Sequence, residues 1–374
     1  MLSPCMPALP SELVPALLDW YRTHARDLPW RRDPSPYRVL LSELMCQQTR
    51  VQTALPYFER FVARWPTLEA LAAASEDDVL EAWAGLGYYR RARSLHAAAR
   101  AARDLGGLPP TEDALRALPG IGPYTAGAIA SIAFGLPAAA VDGNVERVLS
   151  RLDRGPESPW TAAGKRHLQQ RARSLHEGRG PTEHAGDLTQ ALMELGARVC
   201  TPTSPTCGGC PVAAACEAQA HGAQTVWPRT RPRKPPTLMA AAVGLIEDEG
   251  RILFGRRSPE GLLGGLWEPV MVPVGALADA TARSLAEGVP KRIGLEVTVG
   301  PRLGTIVHVF SHRKLTAHVF AATPLGGRLS LPPSPEAYAD ARWAAPGHEP
   351  AMSTLARKLL ALRNAPPLLL AAEP

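Results

Sequence analysis

The stretch Leu115-Arg-Ala-Leu-Pro-Gly-Ile-Gly-Pro-Tyr-Thr-Ala-Gly-Ala128 decides the fold of the first part of the chain. It predicts that a helix ends at Leu118, that the following Pro-Gly pair turns the chain, and that Gly122 permits a second tight bend. A new helix is expected to start near Pro123, because proline is tolerated in the first turn of a helix. Free backbone N–H groups at such a helix start can bind a phosphate, so the stretch predicts a DNA-binding element that contacts the backbone without reading sequence. An ordinary turn between two helices is the alternative.

Length and composition indicate a two-domain globular protein. The chain has 374 residues, of which 45% are hydrophobic and 20% are charged, enough apolar material to bury a core. This excludes a wholly disordered chain, and only 6 cysteines in this length exclude a small disulfide scaffold. The net charge of +6 modestly favours a polyanionic partner.

No targeting or membrane segment is expected. The N-terminus lacks a basic segment followed by an unbroken apolar run. Ala117–Val141 carries no charge, but prolines and glycines interrupt it, so a turn followed by a buried helix explains it better than a membrane span. We therefore expect a soluble, cytoplasmic protein.

The sequence pattern divides the chain into a helical region over residues 9–220, a linker over 221–237 and an α+β region over 238–362. Within the first region, Ser42–Arg64 keeps a helical spacing throughout, and Ser75 opens another helix with two aspartates in its first turn. The linker contains the Pro- and Arg-rich stretch Trp227–Pro236, which can hardly be helical.

Beyond the linker the pattern becomes β-like. Two hairpins are predicted, one from Ala240–Ile246 and Ile252–Phe254, the other from Ile306–Phe310 and Leu315–Phe320. Ala278–Arg292 is expected to form a helix between them.

Four cysteines cluster at the end of the helical region. Cys200, Cys207, Cys210 and Cys216 are separated by six, two and five residues, so all four thiolates can surround one metal centre. Tetrahedral zinc and a [4Fe–4S] cluster are the two candidates. Zinc sites usually pair two C-x₂-C knuckles, and only one is present here. The uneven spacing therefore favours a loop of residues 200–216 wrapped around a cuboidal cluster.

Asp142 follows an apolar run and opens the helical stretch Gly143–Arg147. As a structural residue it would cap that helix. As a functional residue it would be an ionised carboxylate, held by backbone donors and poised against a developing positive charge.

The hairpin, the following aspartate and the cysteine loop, in this order, resemble the helix-hairpin-helix DNA glycosylases that carry an iron–sulfur cluster. The resemblance covers most of residues 20–216. Bifunctional members similar to endonuclease III place a lysine in the second hairpin helix as a Schiff-base nucleophile. Tyr124 stands at that position here, as in the MutY-type adenine DNA glycosylases.

Further motifs are similar to that family. They are Leu28–Arg31, Ser42–Met45, Gln47–Thr49, Gly85–Tyr89, Thr189–Leu192, Glu194–Gly196 and Phe310–His312. Cys46 departs from the pattern, because a larger apolar residue is expected there in the wall of the adenine pocket.

The resemblance implies a monofunctional enzyme of base excision repair, presumed bacterial and monomeric. Its substrate would be adenine paired with 8-oxoguanine or guanine in duplex DNA, and it would hydrolyse the N-glycosidic bond. Glu43 would protonate adenine at N7, since desolvation between Leu44 and Met45 can raise its pKa. Asp142 would stabilise or trap the oxocarbenium-like sugar, in a division of roles that parallels glycoside hydrolysis.

The resemblance also assigns the contacts. Trp30 and Arg31 would line the pocket and Gln190 would contact the adenine edge, while Tyr124 and Asn144 would hold Asp142 and the sugar. The candidates to contact the opposite base, or to fill the gap that the extruded base leaves in the stack, are Gln48, Thr49, Leu86 and Tyr88. The DNA backbone would be contacted by Gly120 and Gly122. For Trp30, Leu86 and Tyr88, plain core packing is the alternative.

Residues 238–362 resemble a Nudix-like domain. A working Nudix hydrolase needs clustered glutamates to hold Mg²⁺, and Ala278–Leu295 offers only Glu287, so the domain is expected to bind and not to hydrolyse. Phe310, Ser311 and His312 would recognise 8-oxoguanine; a solvated turn is the alternative. Two rival functions remain, a glycosylase of the same fold that removes another base such as mismatched thymine, and a non-catalytic DNA-binding protein.

Overall fold

The computed structural model describes residues 10–177, 185–231, 235–275, 280–326 and 329–364. The chain forms two compact units, Met1–Ala74 with Ser94–Pro232, and Ser75–Arg93 with Arg233–Pro374. Each unit is described by itself. The helices before the sheet are α1 Leu13–His24, α2 Pro29–Arg32, α3 Pro36–Cys46, α4 Val51–Arg64, α5 Leu68–Ala73, α6 Glu76–Ala82, α7 Arg90–Asp104, α8 Glu112–Arg116, α9 Pro123–Ile132, α10 Gly143–Asp153, α11 Ala162–Ser174, α12 Ala185–Arg198 and α13 Glu217–Ala220.

The helical spacing over Ser42–Arg64 is divided between two helices, because α3 ends at Cys46 and α4 begins at Val51. Gln47 takes an extended backbone at the end of α3, and Gln48 has a left-handed φ of 57°. Neither conformation belongs to a right-handed helix, so the chain turns although its apolar spacing continues. The predicted helix start at Ser75 is confirmed, because the Ser75 hydroxyl accepts a hydrogen bond from the Asp78 N–H.

The predicted hairpin is confirmed, with α8 before it and α9 starting at Pro123. Gly120 has a φ of 75°, and a Cβ there would lie 2.4 Å from the Cβ of Ser94, so this turn requires glycine. The expected second tight bend at Gly122 is not found, since its φ of −91° and ψ of 175° are ordinary extended values. Most residues of α9 are buried, as expected for the uncharged stretch. Among the described residues, no helix is long and apolar enough to span a membrane.

One close backbone contact positions the end of the uncharged stretch Ala117–Val141. A Cβ at Gly127 of α9 would lie 2.2 Å from the carbonyl oxygen of Ala139, so glycine lets the extended segment before α10 pack directly on α9. This contact brings Asp142, at the start of α10, to the side of α9 that carries Tyr124. Behind them, α1, α10, α11 and α12 share one core that includes Leu17, Leu149 and Leu192.

The second unit contains α6, the Gly85–Tyr89 segment and, in the described residues, a six-stranded sheet. Its elements are β1 Thr237–Asp248, β2 Arg251–Arg256, β3 Trp267–Val274, α14 Ala282–Ile293, β4 Glu296–Val309, β5 Arg313–Gly326, β6 Asp340–Ala344 and α15 Thr354–Ala361. The strand order is β4-β5-β1-β3-β2-β6, with β1 and β5 parallel and the other pairs antiparallel. α14 packs on one face of the sheet and α15 on the other.

Both predicted hairpins are confirmed, since β1 pairs with β2 and β4 pairs with β5 in antiparallel register. The predicted helix is confirmed from Ala282 onwards, whereas Ala278 lies outside the described residues. At the start of the Pro- and Arg-rich stretch, Trp227 is buried and its carbonyl accepts a hydrogen bond from Arg151 Nε at 2.8 Å.

Candidate active site

Glu43 lies on the buried face of α3, where only 9% of the residue is exposed. Gln47 Nε2 donates to Thr125 Oγ1 at 3.2 Å, and this bond ties the end of α3 to α9. The Tyr124 phenol on α9 donates a short hydrogen bond to Glu43 Oε2. Burial raises the pKa of Glu43 to about 7, and the nearby charge of Asp142 adds to the effect, while the Tyr124 hydrogen bond and Arg31 oppose it. A carboxyl with such a pKa can donate a proton near neutral pH.

Asp142 caps α10 and is surrounded by N–H donors. Its Oδ1 accepts from the backbone N–H groups of Asn144 at 2.9 Å and Val145 at 2.8 Å, and its Oδ2 accepts from Asn144 Nδ2 at 2.9 Å. These donors and the positive end of the helix dipole suit a negative charge and fix the direction of the carboxylate. The predicted helix cap is therefore confirmed, and the catalytic role of Asp142 stays a prediction.

The two carboxyl groups share one site but have opposite surroundings. Asp142 is close enough to raise the pKa of both Glu43 and Tyr124. Glu43 receives one phenolic hydrogen bond in a buried position, whereas Asp142 receives three N–H donors. Such a pair can hold a proton on one group and a negative charge on the other at the same pH.

An ion triad lies next to Glu43. The Glu194 carboxylate on α12 has no exposed side-chain surface and accepts from Arg26 Nε at 2.8 Å and from Arg31 Nη2 at 2.8 Å. Burial alone would raise the pKa of Glu194, but the hydrogen bonds and charges of the two arginines hold it at about 2. Arg31 Nε also donates to Gln190 Oε1 at 3.1 Å.

The structure thus brings Arg31 and Gln190 together as expected, and it adds Arg26 and Glu194. Sequence reasoning gave these two residues no role. The available signal was Glu194 itself, because a glutamate among the buried positions of a helix requires a partner. Trp30 is buried and packs edge-on against Phe58, with ring centroids 5.0 Å apart.

The turn after α3 carries the other predicted contacts of this unit. Gln48 is exposed and Thr49 is half-buried. Cys46 is half-buried and lies within electrostatic range of Tyr124 and Arg26, so it sits beside the pocket that Glu43 and Tyr124 form.

The remaining predicted contacts lie in the second unit. Tyr88 is 49% exposed, has a left-handed φ of 49° and joins its hydroxyl to Ser311 Oγ at 2.9 Å. Leu86 is only 6% exposed, which favours core packing for this residue. Phe310 is half-buried with its ring centroid 4.6 Å from that of His308, and His312 is exposed. The structure therefore brings Tyr88 and Ser311 into contact, whereas Leu86 differs from them because it is buried.

The four cysteines of the 200–216 loop lie near one another. Burial and, to a smaller extent, the charges of the other three thiols raise the pKa of Cys210 to about 11. Yet among the described residues no three His, Cys, Asp or Glu side chains are grouped closely enough to hold a single metal ion. These four cysteines are the residues that could hold the predicted metal centre.

Arg147 links the loop to Asp142. Its guanidinium donates to Asn144 Oδ1 at 2.9 Å, to the Gly196 carbonyl at 2.7 Å and to the Cys200 carbonyl at 2.6 Å. One turn further along α10, the buried Arg151 donates to Cys200 Sγ at 3.2 Å. Sequence reasoning missed both arginines, although their spacing of four places them on one face of α10.

Comparisons with known proteins match both regions of the chain. Residues 41–174 match the model of the HhH-GPD superfamily base excision DNA repair protein, and residues 241–362 match the NUDIX domain. These matches confirm the predicted fold of both regions.

The chain is 37% identical to the adenine DNA glycosylase of Homo sapiens over 92% of this chain and 72% of that protein. It is 44% identical to the adenine DNA glycosylase of Mycolicibacterium smegmatis over 52% of this chain and 66% of that protein. The solved structure of a thermostable thymine-DNA glycosylase superposes with a TM-score of 0.50 at 28% identity, covering 56% of this chain and 95% of its own. The chain belongs to the adenine DNA glycosylase family and is a DNA N-glycosylase.

Proposed function

We propose that the protein releases adenine that is paired with 8-oxoguanine or guanine in duplex DNA, by hydrolysis of the N-glycosidic bond. The observation that carries this proposal is the pair of carboxyl groups, with Glu43 buried against Tyr124 at a pKa of about 7 and Asp142 held by three N–H donors. It works as a monomer in the cytoplasm and acts in base excision repair.

Glu43 gives its proton to N7 of adenine while the bond between the sugar carbon and the base nitrogen breaks. The base then leaves as a neutral purine and not as an anion, which lowers the barrier to bond cleavage. Positive charge develops on the sugar, and the Asp142 carboxylate stabilises it. Water adds to the sugar carbon, and its proton returns to a carboxylate of the pair.

Tyr124 makes the enzyme monofunctional. Burial and the charges of Glu43 and Asp142 raise the pKa of its phenol well above the ordinary value, so it stays protonated and holds Glu43 in place. A phenol cannot form the imine that strand cleavage by Schiff-base chemistry requires.

The hairpin binds the DNA backbone through free N–H groups at the start of α9. Gly122 supports this role, because a Cβ there would meet no atom within 4 Å and the surface above the helix start is open. The target adenine leaves the stack and enters the pocket of Trp30, Arg31 and Gln190. The residues that contact the opposite base, or fill the gap that the adenine leaves in the stack, are Gln48, Thr49 and Tyr88.

The second unit recognises 8-oxoguanine through Phe310, Ser311 and His312. The single glutamate of α14, Glu287, is exposed and paired with Arg283 at 2.7 Å, so this helix offers no acidic cluster for Mg²⁺. The domain binds and does not hydrolyse.

Cys200, Cys207, Cys210 and Cys216 hold a [4Fe–4S] cluster. Burial raises the thiol pKa of Cys210 and Cys216, so binding of the cluster would release protons, because only thiolates bind iron. The loop that would hold the cluster accepts hydrogen bonds from Arg147 and Arg151. We expect a yellow-brown purified protein with broad visible absorption, and a colourless protein with stoichiometric zinc would overturn this assignment.

The function is tested by single-turnover cleavage of duplexes that contain one A:8-oxoguanine, A:G, A:T or T:G pair. We expect the fastest base release from the first, with strand breaks only after alkali or heat. Faster release of thymine from T:G would favour the rival glycosylase, and prompt strand scission through a trapped imine would contradict the role of Tyr124.

A further inference from the structure

The amide of Gln190 is held in one orientation. Its Oε1 accepts a hydrogen bond from Arg31 Nε at 3.1 Å. A guanidinium carries only donors, whereas a glutamine amide has an acceptor at one end and two donors at the other. Turning the amide over would set N–H against N–H, so the chemistry of Arg31 decides which end of Gln190 faces it.

Arg31 is itself fixed from three sides. Its Nη2 donates to Glu194 Oε2 at 2.8 Å, its Nη1 donates to the Arg26 carbonyl at 2.9 Å, and its guanidinium lies 5.4 Å from the centroid of the Tyr21 ring. Glu194 is fully buried and shared with the Arg26 side chain, so it cannot release Arg31 without leaving a buried charge short of partners.

We propose that Arg31, anchored by Glu194, locks the amide of Gln190 so that the pocket selects 6-aminopurines over 6-oxopurines. The inference rests on the proposed function, in which Gln190 contacts the adenine edge. With Oε1 bound to Arg31, its second lone pair and the Nε2 amino group offer an acceptor and a donor side by side.

Adenine presents the complementary pair on its Watson–Crick edge, because its 6-amino group donates and ring N1 accepts, and this leaves N7 free for the proton of Glu43. Hypoxanthine has a carbonyl in place of the 6-amino group, and this acceptor would face Oε1. An unlocked amide could turn over to meet the carbonyl, whereas the locked amide cannot. Arg31 is therefore a positioning residue that acts on the base through Gln190.

The test compares single-turnover release of adenine and of hypoxanthine, each placed opposite 8-oxoguanine in the same duplex. We expect the wild-type chain to release adenine much faster. Arg31→Met should lower the adenine-to-hypoxanthine rate ratio about ten- to hundredfold, the size expected for one bidentate base contact. The matched control is Arg26→Met, which removes a partner of Glu194 but keeps the Arg31–Gln190 bond. It should keep the ratio even where both rates fall.

An Arg31→Met enzyme with the wild-type ratio, or a wild-type chain that does not discriminate between the two bases, overturns the lock but leaves the glycosylase function standing. A wild-type chain that releases no adenine overturns the proposed function instead. If Arg31→Met does not fold, Arg31→Lys keeps a cation beside Glu194 but loses the planar Nε donor, and an unchanged ratio in that variant also contradicts the proposal.

Discussion

The pocket of the first unit and the Tyr88–Ser311 surface of the second unit differ in how firmly their polar groups are held. In the pocket, before any substrate arrives, Glu43 accepts from the Tyr124 phenol, Asp142 accepts from three N–H groups, and Glu194 accepts from two arginines. On the surface, the half-exposed Tyr88 meets Ser311 through one hydrogen bond between two hydroxyl groups. Preorganised buried groups change the barrier of a reaction, whereas exposed hydroxyl groups exchange readily with water. We therefore expect the pocket to set the rate of base release and the surface to set the choice of the opposite base.

The largest effects should come from the carboxyl pair. Glu43→Gln removes the proton but can still accept the Tyr124 hydrogen bond, and it should slow adenine release about 10²–10⁴-fold. Asp142→Asn removes the charge but caps α10 as well as aspartate does, and it should slow release about 10²–10³-fold. Single-turnover kinetics give the rates, and duplex binding, measured by mobility shift, should be kept. Normal turnover by either variant would show that the carboxyl group it lacks is not needed for base release.

The pH dependence of the rate should be the next largest effect. Because burial raises the pKa of Glu43 to about 7, the proton donor is present below that pH and is lost above it. Release by the wild-type chain should fall about tenfold per pH unit above 7, whereas the residual rate of Glu43→Gln should show no such fall. A wild-type profile that stays flat up to pH 9 would contradict the assignment of Glu43 as the acid.

The same shift should appear in the stability of the fold. The pKa of Glu43 rises from 4.5 to about 7 on folding, so the folded chain binds more protons than the unfolded chain within that window. The contribution of Glu43 to stability is therefore complete below pH 4.5 and is lost as the pH rises to 7, by about 3 kcal/mol at 1.36 kcal/mol per pKa unit. Denaturant unfolding of the wild type and of Glu43→Gln at pH 5 and pH 8 measures this difference.

Arg147 tests whether the pocket depends on the cysteine loop. Arg147→Met leaves the Cys200 and Gly196 carbonyls and Asn144 Oδ1 without their donor, at a cost of about 1–3 kcal/mol for each group that stays buried. We expect a lower free energy of unfolding and a roughly tenfold slower release, because Asn144 then holds Asp142 less firmly. The exposed Arg166→Met on α11 is the control and should change stability by no more than about 0.5 kcal/mol.

The sequence predicts local features well where one residue type dictates a backbone conformation. Gly120, Pro123 and Ser75 each mark a turn or a helix end, and the structure has them in those places. The break between α3 and α4 escapes prediction because Gln48 adopts a left-handed backbone without being glycine, and tertiary packing must impose that conformation. Nor does residue spacing predict that Glu194 and Arg26, 168 positions apart, form one ion pair.

Ser311→Ala should give the smallest effect and tests the surface side of the comparison. The change removes one hydroxyl from an exposed turn, so the rate with an A:G pair should stay within about twofold of the wild type. The preference for A:8-oxoguanine over A:G should fall by about three- to tenfold, as expected for one net hydrogen bond of about 0.5–1.5 kcal/mol.

Tyr88→Phe is the matched variant, because it removes the other hydroxyl of the same bond and keeps the aromatic ring. If both variants lose the preference equally, the two hydroxyl groups act as a pair; if only Ser311→Ala loses it, the serine alone contacts the opposite base. A fall in the A:G rate as large as the fall in preference would show instead that this surface sets the rate, and the division between the two regions would fail.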